Sequence, residues 1–509
     1  MTIDTKAVEH ESRIATRMAS GLLWGQVLRT VEVGASLLFL IFVVRKLGPS
    51  QYGVYGQIIN ICALSALITS LGFSEALSKY LPKVAAEKSP AAAVSLARRI
   101  IGLNMLLVAG FCVILWISRF AIANRLHCTQ TIPYWPLVLT LFAGQSLSST
   151  LAMANVGLMK ISRVCFVGST MNILALCGAI VGLSAYGPTA RIAIFASAAA
   201  FIIGTLTYFF ASRDWLFQSS AETVDMKPVW RFSSNAWLVK MATFAMSGEI
   251  MVFLMGLWLD DSKQIGYFNS AYMPLRKLQV LLLGWTLPVL PSLSELLATR
   301  GPKSISMAYR LYTKILIGLV VPVCGFVILN GKPIVSILFG KSFLPAVPSL
   351  QIYSGFWLVS SIFGSGLATF VLYSMDKAKT ALLIRLVVAA LTFVLAYILI
   401  FAFKSLGAII AAGLAMMATA AWEIGIIRKL LSIDSPMLYT GKVLLASGIA
   451  LGLTFFLSPA SLWKLMLSSI LFTALYALIL IRFKPLEADE KNILLKHPRL
   501  GSLLAMLGE

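Results

Sequence analysis

The chain has 509 residues, 59% of them hydrophobic and 12% charged, and carries a formal net charge of +22. Soluble domains carry roughly 25% charged and 45–50% apolar residues, so this composition excludes an ordinary soluble enzyme and points to a polytopic membrane protein. The excess Lys and Arg gather in alternate segments between apolar runs; this is the positive-inside pattern, and it excludes a nucleic-acid-binding surface as the reason for the charge.

A spanning helix needs about 20 mostly apolar residues to cross a hydrocarbon core of about 30 Å. On that measure about fourteen spans are expected, near 19–44, 54–78, 100–118, 132–158, 164–184, 191–211, 232–258, 267–297, 308–330, 347–374, 380–402, 406–427, 437–457 and 462–481. Residues 1–19 contain Asp4, Glu9 and Glu11 and no apolar core, so they read as a cytoplasmic N-terminus rather than a cleaved leader. Segment 212–231 reads as a cytoplasmic linker and 482–509 as a cytoplasmic tail, with both termini inside. The six cysteines are scattered without a Cys-x-x-Cys spacing and read as free thiols within apolar surroundings. His127 and Cys128 are adjacent, which does not suit a standard zinc pair; no metal site and no cofactor are expected.

Two pauses between apolar runs resemble each other. "VVRKLGPSQYGVYGQ" at 43–57 and "LWLDDSKQIGYFNS" at 257–270 each place charge and glycine between long hydrophobic stretches. Trp24 and Trp237 lie 213 positions apart, and Tyr52-Gly53 precedes Ile265-Gly266 by the same offset. Pro90 and Pro302 differ by 212, as do Arg98 and Arg310, while "LMKISRV" at 158–164 precedes "LYSMDKA" at 372–378 by 214. A near-constant offset over several landmarks indicates internal duplication. The expected plan is an N-lobe at 20–211, a C-lobe at 232–427 and two further spans at 437–481. Six spans per lobe give both halves the same orientation, as in transporters built from parallel repeats, with a transport cleft expected between the lobes.

The stretches "LGPSQYGVYGQ" at 47–57 and "LGFSEALSKYLP" at 71–82 resemble the N-terminal signature of polysaccharide transporters. "IGYFNSAYMPLRKLQVLLLGWTLPVLPSLSELL" at 265–297 and "ILFGKSFLPAVPSLQIY" at 337–353 resemble later passages of the same family. This is the Wzx-type oligosaccharide-lipid flippase family of the multidrug/oligosaccharidyl-lipid/polysaccharide (MOP) exporter superfamily. The resemblance implies an all-α, two-lobed membrane protein of the inner membrane. It also implies movement of a lipid-diphosphate-linked sugar to the outer leaflet by alternating access. The partners it implies are membrane lipids, H+ or Na+, and the polysaccharide polymerase and glycosyltransferases of the same pathway.

Charges inside apolar spans cost roughly 2.5–3.5 kcal/mol each on insertion scales, so they mark cavities or pairs. Arg29 and Glu32 share a face of the first span. Either they pair to hold the lobe together, or they line the cleft, Arg29 attracting an anionic head group and Glu32 exchanging an ion. In the seventh span Lys240 and Glu249 are nine positions apart, or 2.5 turns, which puts them on opposite faces of a continuous helix; Glu249 is the ion-coupling candidate. Arg276 and Lys277 follow Pro274, which is expected to kink its helix. Arg29, Lys240, Arg276 and Lys277 are the substrate-binding candidates, because Arg and Lys replace diphosphate hydration with charge-assisted hydrogen bonds. Glu75 and Lys79 suit a solvated i, i+4 pair, Lys314 suits snorkelling, and Glu423, near the inner end of the twelfth span, is assigned to neither role. Asn60, Gln145, Asn155, Asn172, Asn235, Trp24 and Trp237 are available to a sugar-lined cleft.

"FGKS" at 339–342 lacks the earlier glycine of a phosphate-binding loop, since the position five residues before Gly340 is Val335. No nucleophile–base set is apparent, and the loops are too short for a catalytic domain, which argues against a membrane-bound glycosyltransferase or polymerase. The alternative within the superfamily is an ion-coupled drug or cation antiporter, which would favour an acidic cavity over these cations.

Overall fold

The computed structural model describes residues 5–158, 160–217, 224–284, 302–364, 367–375, 377–431, 436–455, 459 and 461–483; the described residues form helices and connecting turns with no strand. The chain divides into two compact units, one of residues 1–241 with 260–262 and the other of residues 242–259 with 263–509.

In the first unit, α1 covers Thr5–Ser70 and is broken at Gly48, whose φ is 69°. A continuous helix of 66 residues would be about 100 Å long, and the Gly48 break divides it into two helices. A second break follows at Leu71 and Gly72, both at positive φ, before α2 (Phe73–Glu87). The helix α3 (Pro90–Ile117) starts where the Ser89 hydroxyl accepts the Ala92 N–H at 3.0 Å, an N-cap followed by proline in the first turn. Then come α4 (Arg119–Arg125), α5 (Trp135–Gly157), α6 (Ile161–Ala185), α7 (Ala190–Ala211) and α8 (Arg213–Leu216). α1 packs on α5 and α6, and α7 closes against the same two helices. Phe73, Leu77 and Leu81 of α2 are buried with Leu96 and Ile100 of α3 and Leu151 of α5. The last helix of this unit is α9 (Lys227–Phe244), most of which, to Met241, belongs here although the duplication assigns it to the second half.

The second unit contains α10 (Gly248–Trp258), α11 (Ser262–Gly284, from Lys263), α12 (Pro302–Leu329), α13 (Gly331–Leu338), α14 (Val347–Ile362), α15 (Leu367–Ser374), α16 (Ala378–Leu431), α17 (Met437–Phe455) and α18 (Leu462–Arg482). α16 is broken at Lys404, at φ 51°, and so also divides into two helices. α14 lies against α12 and α16, and α10 against α16. The terminal pair α17–α18 packs on α12: the Tyr476 hydroxyl donates to the Gly318 carbonyl at 2.7 Å, and Val443, Ala446 and Phe472 are buried with Ile317 and Val321.

Among the described residues, eight helices are long and apolar enough to cross a membrane, or nine if the bent pair Lys227–Phe244 and Gly248–Trp258 is one span. Several apolar runs are interrupted where the sequence suggests one continuous helix. The run at 54–78 breaks at Leu71–Gly72, that at 232–258 bends by 61° around 245–247, and that at 347–374 breaks after Ile362. Apolar composition sets the length of a span but not the continuity of its hydrogen bonds, because breaks inside protein are tolerated where side chains satisfy the freed backbone groups. By contrast α11 continues through Pro274. The part of the 267–297 run beyond Gly284 lies outside the described residues.

Candidate functional site: an arginine–glutamate–tyrosine cluster on a broken span

The bend before α10 decides where Glu249 goes. Ser247 is extended (φ −88°, ψ 166°), and α10 restarts at Gly248, which places Glu249 in its first turn. A carboxylate there is stabilised by the unsatisfied N–H groups of a helix start. The Tyr272 hydroxyl of α11 sits at the same point, accepting the Gly248 N–H at 3.3 Å and donating to Glu249 Oε2 at 2.9 Å. Only glycine suits position 248, since a Cβ there would lie 2.4 Å from the Tyr272 ring. That ring is buried, stacked on Phe268 at 5.5 Å and meeting Tyr353 of α14 edge-on at 5.3 Å.

Arg276 is one turn beyond Tyr272 on α11, and its Nε lies 3.5 Å from Glu249 Oε1. The Arg276 side chain is 46% exposed and that of Glu249 21%. The cluster therefore presents a cation on an apolar span whose counter-ion is held in place by a buried tyrosine and a helix start. An incoming phosphate oxygen can exchange with Glu249 at the guanidinium without leaving the carboxylate stranded, because Tyr272 continues to hydrogen-bond it. Because the span is broken between Lys240 and Glu249, the helical-face argument that placed them on opposite sides does not apply.

The remaining candidates are distributed as follows. Lys240 forms an ion pair with Glu75 of α2 within the first unit. Glu75 is thus paired across elements rather than with Lys79, whose ammonium lies over the Phe232 ring at 4.1 Å. The Glu32 carboxyl lies against α6, where a Cβ at Gly168 would come within 3.1 Å of it, and it is partly buried. The side chain of its sequence partner Arg29 lies outside the described residues, as does that of Trp24. Lys277 is partly buried beside Arg276. Lys314 does not snorkel: it is 3% exposed, with its ammonium 5.7 Å from the centre of the Tyr439 ring. Asn60 and Asn155 are buried and donate to carbonyls four residues earlier, as does Asn172, and Trp237 donates to Leu67.

A second charged group went unassigned in sequence. Arg385 of α16 pairs with Glu423 of the same helix after its break, at 3.4 Å, and the two side chains are 9% and 2% exposed. Thr369 of α15 bridges them, donating to Glu423 Oε2 at 2.7 Å and accepting from Arg385 at 3.0 Å. The available signal was the pair of opposite charges in consecutive apolar runs; nothing in the spacing says that they meet. After α7 in the first unit, Asp214 accepts two hydrogen bonds from Arg163, both at 3.0 Å, and one from Lys160 at 2.7 Å. The Arg163 hydrogen bonds hold the Asp214 carboxyl well below the usual carboxylate range, with Lys160 reinforcing them. Among the described residues, no group of three His, Cys, Asp or Glu side chains is placed to hold a metal ion.

Comparison with known proteins agrees with this architecture. The family model described as polysaccharide biosynthesis protein matches residues 42–348. No curated protein matches the chain. A solved structure of the lipid II flippase MurJ in an inward-closed conformation is similar over 91% of this chain and 98% of that one, with a TM-score of 0.69 and 14% identity. An inward-facing multidrug resistance MATE family transporter of the MOP superfamily is similar over 80% of this chain and 98% of its own, with a TM-score of 0.67 and 14% identity. A MOP superfamily transporter from Pyrococcus furiosus covers 81% of this chain and 95% of its own, with a TM-score of 0.58 and 14% identity. The all-α fold is shared with these transporters, and with a matched region exceeding half of its length the chain belongs to the polysaccharide biosynthesis protein family.

Proposed function

We propose that the protein moves a polyprenyl-diphosphate-linked oligosaccharide from the cytoplasmic to the outer leaflet of the inner membrane by alternating access, in the synthesis of a cell-surface polysaccharide. Family membership supports a lipid-linked substrate, and the observation that carries the site is the half-exposed Arg276 held against Glu249. A diphosphate entering a low-dielectric passage needs its hydration replaced, and a planar guanidinium does so with paired, charge-assisted hydrogen bonds. Arg276 engages the diphosphate, and Lys277 adds positive potential beside it; Arg29 of the first span is a separate candidate anion-binding residue. The polyprenyl chain stays in the bilayer. Glu249, and Glu32 in the first unit, are the ion-coupling residues, for H+ or Na+. Both termini are cytoplasmic, and the enzymes that build and polymerise the oligosaccharide act before and after this step.

Depletion of the protein in its own cell tests this. The lipid-linked oligosaccharide then accumulates on the cytoplasmic leaflet, shielded in intact spheroplasts from an added impermeant glycosidase but cleaved in inverted vesicles. Accumulation on the outer leaflet, or no change in the lipid-linked pool, contradicts the proposal.

A further inference from the structure

Asp214 is the first acidic residue after Glu87, and it stands at the corner where α7 ends and α8 begins. The turn between α5 and α6 meets that corner. Asn155 of α5 donates to the Ser212 hydroxyl at 2.9 Å, and Arg163 of α6 donates to the Ala211 carbonyl as well as to Asp214. Lys160 donates to the same carboxylate, and within the last turn of α7 the Tyr208 hydroxyl donates to the Val164 carbonyl at 3.2 Å. The adjoining ends of α6 and α7 are thereby fixed side by side. Arg213, beside Asp214 in sequence, is exposed. Three cations, Lys160, Arg163 and Arg213, against one carboxylate leave the corner with a net charge of +2.

Asp214 does not use up the cations it holds. The Lys160 and Arg163 side chains are 29% and 34% exposed, and an ammonium and a guanidinium together carry more donors than one carboxylate and one carbonyl accept. Exposed phenyl rings continue from the cations into the apolar part of both helices, each of which is long and apolar enough to cross a membrane. On α6, Phe166 is exposed one turn after Arg163, on the same face. On α7, Phe210 is exposed just before the corner, and Phe217 is exposed just after α8. Phe209 joins these two, its ring 6.1 Å from that of Phe210 and 5.6 Å from that of Phe217. Rings followed by cations at the end of a span match the order of acyl chain and phosphate in a phospholipid.

We propose that this corner is a binding site for an anionic phospholipid. Lys160, Arg163 and Arg213 take its phosphodiester through charge-assisted hydrogen bonds, and Phe166, Phe210 and Phe217 lie along its acyl chains. A zwitterionic head group neutralises itself and leaves the corner's excess charge uncompensated, so the site selects anionic over zwitterionic lipid. Asp214 holds Lys160 and Arg163 in place before the lipid arrives, which lowers the ordering cost of binding. The site lies in the first unit, apart from the Arg276–Glu249 cluster of the second, and it binds lipid whether or not the protein moves an oligosaccharide.

Native mass spectrometry of the full-length protein in detergent, with dioleoyl phosphatidylglycerol or dioleoyl phosphatidylcholine added, reads the site directly. The parent should retain the phosphatidylglycerol at least about tenfold better than the phosphatidylcholine. Arg213→Gln should lower phosphatidylglycerol retention about fivefold, and Lys160→Gln with Arg213→Gln about 25-fold, at roughly a factor of five per cation. Lys160→Arg with Arg213→Lys keeps both charges and should keep the parent's selectivity, which separates lost charge from lost folding. Arg125→Gln with Arg191→Gln removes as many exposed cations from the first unit, one at the end of α4 and one at the start of α7, and should leave retention unchanged. Equal retention of the two lipids by the parent overturns the proposal. So does parent-like retention by the Lys160→Gln, Arg213→Gln variant, or an equal fall in the Arg125→Gln, Arg191→Gln control. Melting temperature gives a second readout. Phosphatidylglycerol should raise it in the parent and raise it further in Asp214→Asn, where the phosphodiester replaces the anion lost to Lys160 and Arg163; a rise no larger than with phosphatidylcholine in both proteins contradicts the site.

Discussion

Arg276 meets Glu249 through its Nε at 3.5 Å, and Tyr272 holds the other carboxylate oxygen at 2.9 Å. The three residues thus form a chain in which the tyrosine positions the glutamate and the glutamate positions the arginine. Arg276→Ala should reduce export by about 10- to 100-fold, the range of a lost charged hydrogen bond of about 1.5–3 kcal/mol. Protein abundance should stay near normal because the side chain is half-exposed. Arg276→Lys should retain part of the activity, keeping charge without the planar fork. Export and immunoblot of membranes from the same cells separate these outcomes; full export by Arg276→Ala removes the residue from the substrate path.

Arg29 is tested by its sequence partner. If it contacts the diphosphate, Arg29→Ala abolishes export at near-normal abundance and Arg29→Lys keeps a fraction. If it serves only to neutralise Glu32, abundance falls in Arg29→Ala, and adding Glu32→Gln restores both abundance and export. The proposal expects no rescue.

The Arg385–Glu423 pair should be a matter of stability. Removing one partner of a buried pair leaves an uncompensated charge and costs about 3–5 kcal/mol. Arg385→Met or Glu423→Leu alone should therefore lower the melting temperature of the detergent-solubilised protein sharply. The double replacement should recover most of it, since apolar substitutes of similar volume often match a buried ion pair. A double variant no more stable than either single one contradicts this.

The all-α, apolar character of the chain is legible in sequence because it depends on composition, which survives without knowledge of packing. The breaks are not legible. "LITSLGFSEA" and "FAMSGEIMVF" differ little from stretches that remain helical, and what opens them is a side chain arriving from elsewhere: Trp237 and Ser233 in the first case, Tyr272 in the second. The same holds for individual residues. Arg276 and Glu249 stand out as charges in apolar runs, but their meeting depends on the bend at 245–247. Lys240 looks like an available cation until Glu75 is placed beside it, and Asn155 looks like a sugar ligand until its amide is found on Leu151 and Ser212.

Asp214 gives a pH signature in the first unit. Its carboxyl titrates below its ordinary value of about 4 because Arg163 and Lys160 stabilise the charged form. A depressed folded value contributes stability above the unfolded value, and that contribution is lost as pH falls through the folded value. Asp214→Asn should therefore lower the melting temperature at pH 7, and the gap to the parent should close only well below about pH 4. A gap independent of pH contradicts the assignment.

The most direct measurement is translocation in proteoliposomes that hold the purified protein and a polyprenyl-diphosphate oligosaccharide labelled on its sugar. The account predicts protein-dependent movement of the labelled head between leaflets, reduced about 10- to 100-fold by Arg276→Ala and weaker for a monophosphate-linked analogue. Absence of movement with the parent protein, together with ion-driven transport of an organic cation by the same vesicles, would contradict it.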